Sequence, residues 1–183
     1  MSGEGREGAR LKSSRTRLLL AAGSILLVDQ AAKLLVSRHI AFEQTIPVLG
    51  DLLRFRHIRN SGVAFGLLGD RGIPFVFVSL AAMALVVISL RRVPRGAHAV
   101  RYALACILGG ASGNLVDRVR FREVIDFIDI GVGGLRWPIF NVADIAVTAG
   151  VGLFIAGSLL GRREPETGTE KGSDEAGATV GPT

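Results

Sequence analysis

Residues 73–90, IPFVFVSLAAMALVVISL, carry no charged side chain over a length sufficient to cross the hydrocarbon layer of a bilayer. A segment placed there must satisfy its own backbone hydrogen bonds, so it must be helical. Three other runs have the same character, at about 18–36, 99–116 and 142–160. Hydrophobic residues make up 49% of the chain while aromatics reach only 6%. Their clustering into long runs is unnecessary for a soluble core of this size. The expected fold is therefore a mainly α membrane protein with four transmembrane helices. Its membrane domain spans 18–161, after a disordered basic arm at 1–17 and before a disordered tail at 162–183.

Charge placement refines this reading. The formal net charge is +6, but the arginines sit mainly at the flanks of the apolar runs. There they suit anionic headgroups better than nucleic acid. Residues 1–28 look like the charged and apolar regions of a secretory signal. No small-x-small cleavage site clearly follows, and the apolar pattern resumes through Ala31, Leu34, Leu35 and Val36. An uncleaved first helix is expected. Four crossings place both termini on one side. Twelve lysines and arginines lie in 1–17, 91–101 and the tail, against nine in 37–72 and 117–141. That bias favours cytoplasmic termini. Cys106, the only cysteine, permits no intramolecular disulfide.

Between the first two runs the pattern changes. Pro47, Gly50-Asp51 and Gly69-Asp70 are turn signals, and Leu53, Phe55 and His57 alternate with Arg54, Arg56 and Ile58. An imperfect period of two predicts a short strand, in a small extracytoplasmic sheet lying on the membrane surface. Asn60 through Gly66 follow as a loop. In the third run, Gly109-Gly110-Ala111-Ser112-Gly113 forms a small-residue face with GxxxG spacing, suited to close helix packing.

The stretch from Gly109 to Asp144 holds four aspartates (Asp117, Asp126, Asp129, Asp144) and two asparagines (Asn114, Asn141) beside membrane-type sequence. Ionisable groups there are costly and are functional candidates by default. Asp29 and Lys33, at i and i+4, share a helix face and can neutralise one another. Asn114 and Arg118 share another face. Asn141 also reads as an ordinary N-cap, with Asp144 the acid of the first turn. If VIDFIDI is a strand, Asp126 and Asp129 point to opposite faces; if it is a helix, they share one. The three histidines lack metal-ligand spacing and Ser112 has no nearby histidine, so acid–base work is the chemistry with a full set of parts. Two carboxylates converging in a poorly solvated site cannot both ionise easily. One could then activate water while the other donates a proton. Asp144 is a natural member; spacing leaves its partner open among Asp117, Asp126 and Asp129.

Five motifs in order resemble a known family. They are Asp29-Gln30-x-x-Lys33, Asn60-x-Gly62-x-Ala64-Phe65, Gly109-Gly110-x-x-Gly113-Asn114-x-x-Asp117-Arg118, Val124-x-Asp126-Phe127, and Trp137-Pro138-x-Phe140-Asn141-x-Ala143-Asp144. Together, over roughly residues 18–160, they resemble the bacterial lipoprotein signal peptidases (signal peptidase II), four-helix membrane aspartyl proteases. The resemblance implies a catalytic pair of Asp126 and Asp144. It implies a site lined by Asn114, Arg118 and Asn141, with Asp29, Lys33 and Asn60 in support. The implied substrate is a prolipoprotein whose lipobox cysteine carries a diacylglyceryl group, cut just before that cysteine. No metal or other cofactor is expected. The partners are lipidated prolipoproteins and membrane lipids, with no nucleic acid, and the protein is expected to be a monomer. It would sit in the bacterial inner membrane with its site near the extracytoplasmic face. The rivals are an ion-coupled transporter using Asp29, Lys33 and Asp144, and a non-catalytic scaffold using the glycine face.

Overall fold

A computed structural model describes the backbone of residues 3–62 and 73–160, with side chains from residue 14 in the first stretch and from residue 75 in the second. The predicted loop from Val63 to Gly66, the Gly69-Asp70 turn and the tail at 162–183 lie outside the described residues. Four helices, α1 (Gly3–His39), α2 (Ile73–Arg92), α3 (His98–Phe121) and α4 (Val142–Leu160), alternate with four strands. The strands are β1 (Thr45–Leu49), β2 (Leu53–Asn60), β3 (Val124–Val132) and β4 (Leu135–Arg136).

All four helices are long and apolar enough to cross a membrane, with mean hydropathy between 1.3 and 1.9 in their most apolar windows. Their outer faces leave Leu19, Leu27, Phe77, Leu85, Ile155 and Leu159 bare. Large apolar side chains spread over α1, α2 and α4 in this way fit lipid rather than water. The α2 and α4 spans match the apolar runs closely. By contrast, α1 starts fifteen residues before its run, so residues 3–17 are helical rather than a disordered arm. Once a membrane helix is nucleated, each added residue costs little. The Ala, Leu, Lys, Glu and Arg of this segment are good helix formers.

The third helix is the hub, touching α1, α2 and α4. Its small-residue face makes this possible. A Cβ on Gly109 would come within 2.6 Å of the Ala22 carbonyl oxygen of α1, and one on Gly110 would strike the Ala143 carbonyl of α4. At the far end of α3, Arg122 adopts a left-handed conformation (φ 63°) and donates its N–H to the Arg118 carbonyl. That cap stops the helix and turns the chain into β3.

The strands form one antiparallel sheet in the order β1-β2-β3-β4. The alternation at 53–58 does mark a strand, and VIDFIDI is one also. A register shift between Phe55 and Ile58 separates two paired stretches, Leu53 to Phe55 against Ile128 to Ile130, and Ile58 to Asn60 against Val124 to Asp126. The sheet seats on the bundle through Phe127, which packs with Val36 and Ile40 at the end of α1. Phe55 meets the Phe127 ring edge-on, centroids 6.0 Å apart.

Candidate functional site

The C-terminal ends of α1 and α3, the start of α4 and one face of β3 converge at one end of the bundle. There Asp29, Lys33, Asn114, Asp117, Asp126 and Asn141 are all buried. Lys33 is the buried cation at the centre. Its Nζ lies 2.8 Å from Asp29 Oδ2 and 2.8 Å from Asp117 Oδ2, and donates to Asn114 Oδ1 at 3.0 Å. The i, i+4 pair expected in α1 is thus one half of a three-helix junction. Asp29 also accepts the Ala143 N–H of α4 at 2.9 Å. Its carboxylate lodges where a Cβ on Gly113 would otherwise stand, so glycine there makes room for the acid.

Three asparagines carry the network to two further acids. Because Asn114 Oδ1 accepts from Lys33, its Nδ2 must face the other way, and it donates to Asp144 Oδ1 at 2.8 Å. Asn141 is the N-cap of α4. Its Oδ1 accepts the Asp144 N–H at 3.0 Å, while Asp144 Oδ2 accepts the Asn141 N–H at 3.1 Å. This is the reciprocal capping box. With its oxygen so occupied, the Asn141 Nδ2 donates to Asp126 Oδ1 at 2.7 Å. Asn60, at the end of β2, donates to Asp126 Oδ2 at 2.9 Å and accepts the Gly62 N–H at 2.9 Å. The capping reading and the functional reading of Asn141 and Asp144 are therefore compatible: one amide caps the helix and joins two acids.

The three possible partners of Asp144 have different surroundings. Asp117 is bound by Lys33, by Gln30 Nε2 at 3.0 Å and by the Ile125 N–H at 3.2 Å. Asp129 points to the other face of β3, as a strand requires. Arg54 Nη2 grips it at 2.8 Å and Arg136 Nε at 2.6 Å. Burial raises the Asp129 pKa, but the hydrogen bonds and charges of Arg136 and Arg54 outweigh it and hold the group below its ordinary value. Asp126 receives only neutral amide donors among the described residues. Burial pushes its carboxyl up to about 6 against the Asn60 hydrogen bond; the Asp144 charge adds to the rise, while Asn141 and Lys33 oppose it.

Arg118, half-buried on α3, donates to Ser79 Oγ of α2 at 3.3 Å and lies within electrostatic reach of Asp144, Asp126 and Asp117. All eight residues expected in the site stand at this end of the molecule. Gln30, unassigned from sequence, joins the same network, and Asp117 enters it as an ion-pair partner of Lys33. Their signal was present, since both occur in the quoted motifs. Beside Asp144, which is only partly covered, a cavity of about 420 Å³ opens between Trp137, Phe140, Ile145, Thr148 and Ala149. The arrangement offers a buried acid inclined to keep its proton, a second acid facing a largely apolar cavity, and an amide bridging them. Those are the parts for acid–base work on water.

Comparisons with known proteins bear on the family and the fold. A family model described as Signal peptidase (SPase) II matches residues 21–160. The chain is 37% identical over 162 residues to the lipoprotein signal peptidase of Syntrophus aciditrophicus (strain SB), covering 86% of this chain and all of that one. It is 43% identical over 131 residues to the lipoprotein signal peptidase of Geobacter sulfurreducens, covering 70% and 82% of the two chains. A solved structure of a bacterial membrane enzyme superposes with a TM-score of 0.73 at 27% identity, covering 88% of this chain and 95% of that one.

Proposed function

Because the chain belongs to the signal peptidase II family, we propose that it is a membrane aspartyl endopeptidase removing signal peptides from diacylglyceryl-modified prolipoproteins. The observation that carries the aspartyl mechanism is the Asn141 side chain, which donates to Asp126 and caps the backbone of Asp144. It holds two acids in fixed relation, while Asp117 and Asp129 are each engaged by cations.

Two neighbouring carboxylates share a proton, and their titration belongs to the pair. Burial favours keeping that proton on Asp126, so Asp144, on the cavity side, acts as the base. It takes a proton from water, whose oxygen attacks the carbonyl carbon before the lipidated cysteine. Asp126 donates to the developing oxyanion. Collapse of the diol breaks the C–N bond, its hydroxyl proton returning to Asp126 while the proton on Asp144 passes to the departing amine of the cysteine. The signal peptide leaves with a new carboxyl terminus. Asn114 and Asn141 hold the acids in their working rotamers, and Lys33 and Asp29 brace Asn114 and the start of α4. Arg118 and Asn60 border the site, suited to holding substrate carbonyls or lipid ester groups.

A substrate with two acyl chains arrives through the bilayer, so its site belongs at a membrane edge where water remains. Trp137, 69% exposed at that end, is the residue type that favours such an interface. The bias of lysine and arginine supports cytoplasmic termini, with the acids on the extracytoplasmic side of the cell membrane. A proton-relay transporter would need ionisable groups along its spans, whereas α2 carries its charges only at Arg91 and Arg92 and α4 carries only Asp144. The test is cleavage of a diacylglyceryl-modified lipobox peptide by purified protein beside Asp126→Asn and Asp144→Asn. Turnover by either folded variant at a wild-type rate rules out the dyad.

A further inference from the structure

At the end of the bundle opposite the aspartates lies a second cavity, of about 630 Å³, between the start of the α1 span, the end of α2 and the start of α3. Arg101 and Arg118 are seventeen residues apart on α3, which places this cavity about 25 Å from the acid cluster. Its lining has two chemistries. Leu18, Leu108 and neighbouring aliphatic residues form one part, and Arg15, Arg91, Arg95 and Arg101 form the other, with no acid among the described lining residues.

Arg101 is the informative member. It is only 9% exposed. Its Nη1 donates to the Leu90 and Val93 carbonyls at 3.3 and 3.1 Å, closing the end of α2. Its Nε is buried without a hydrogen-bond partner among the described residues. Arg101 lines the cavity, and a planar guanidinium fork suits a phosphate. Arg15, Arg91 and Arg95 are exposed at the rim, where each attracts an anionic headgroup.

We propose that this cavity is a binding site for an anionic phospholipid, its phosphodiester held by Arg101 and the rim arginines and an acyl chain lying along Leu18 and Leu108. The concentration of positive charge argues against a basic peptide segment here. The aliphatic wall argues for a ligand with a tail. The site is separate from the acid cluster, and the proposal stands whether or not that cluster cuts peptides.

The test is native mass spectrometry of the purified full chain, titrated with phosphatidylglycerol, phosphatidylcholine of matched chains, or inorganic phosphate. Phosphatidylglycerol should bind preferentially. The Arg91→Gln/Arg95→Gln variant should weaken it by about fivefold per arginine, and Arg101→Gln should weaken it further if it folds, as judged by its thermal transition. Leu108→Trp, which fills the apolar part, should also reduce lipid binding. Equal retention of phosphatidylcholine, or full retention by the double rim variant, overturns the proposal. So does inorganic phosphate competing as well as the lipid, because the tail would then contribute nothing.

Discussion

The ammonium of Lys33 sits 3.0 Å from the carbonyl oxygen of Asn114, and that contact dictates which end of the amide faces Asp144. A cation on α1 therefore orients a neutral donor on α3 toward an acid on α4. The same ammonium compensates Asp29 and Asp117, both fully enclosed.

Lys33→Met should accordingly be among the most damaging substitutions in the protein. Removing one partner of a buried ion cluster leaves uncompensated charge, at a cost of about 3–5 kcal/mol. Thermal unfolding in detergent should show a transition lowered by many degrees. Adding Asp29→Asn should recover part of the loss. A Lys33→Met protein as stable as wild type would contradict the junction described above.

Asp126→Asn and Asp144→Asn should keep their folds and lose turnover of a lipidated lipobox peptide by at least about a thousandfold, the scale seen when members of a catalytic acid–base set are removed. Asp129→Asn should behave oppositely. Its two arginines would lose their carboxylate and the sheet would loosen, yet the molecules that fold should still cut. Paired activity and melting measurements separate the two patterns.

Asn141 offers a sharper division because it does two jobs. Asn141→Ser retains a side-chain oxygen for capping, so stability should stay within about 1 kcal/mol of wild type. It loses the Nδ2 donor to Asp126. A hydrogen bond to a protonated acid is worth about 0.5–1.5 kcal/mol, so kcat should fall roughly twofold to tenfold. Loss of stability without loss of kcat would mean that Asn141 is only a cap.

The acids also set a pH dependence. The raised Asp126 carboxyl makes ionisation costly to the fold, so its contribution is complete below the ordinary carboxylate pKa and is lost as pH climbs through about 6. Asp129 works in reverse. Its lowered pKa stabilises the protein above the ordinary value, and that stability goes as pH falls through the folded one. Melting curves from pH 3 to 8 on wild type and Asp126→Asn should differ most on the climb through about 6, where only wild type loses stability from this group. In the free enzyme the proton-donating form also declines above about pH 6, so kcat/KM should fall on that side with the same apparent value.

Gly113 should tolerate no side chain. A Cβ there would strike Asp29 Oδ2, whereas Gly134 has nothing within 4 Å. Gly113→Ala should cost about 1–3 kcal/mol, typical of overpacking, and Gly134→Ala close to nothing. Chemical or thermal unfolding of both variants tests the difference.

Much of this was legible in the sequence because the signals are local. The uncharged run at 73–90, the alternation at 53–58 and the Asn141 to Asp144 spacing each reflect a physical period or cap that needs few neighbours. The upstream reach of α1 was not legible, because polar residues 3–17 carry no apolar period and borrow their helix from the span that follows. Nor could spacing choose among Asp117, Asp126 and Asp129. That choice depends on which side chains arrive from elsewhere: Lys33 from α1, Arg54 from a strand 75 residues before Asp129, and Asn60 from one 66 residues before Asp126. Motif resemblance singles out Asp126, where local physics leaves three acids open.

The register shift between Phe55 and Ile58 has a further consequence. Side chains on a strand alternate, so slipping the pairing by one residue turns every one of them to the other side. The shift acts as a phase correction between the outer stretch of β2, whose Arg54 meets Asp129, and the inner stretch, whose Asn60 meets Asp126. It sets two residues of β2, Arg56 and His57, against the single Phe127 of β3 and so absorbs one extra residue. Continued in a single register, β2 would turn Asn60 to the same side as Arg54, away from Asp126.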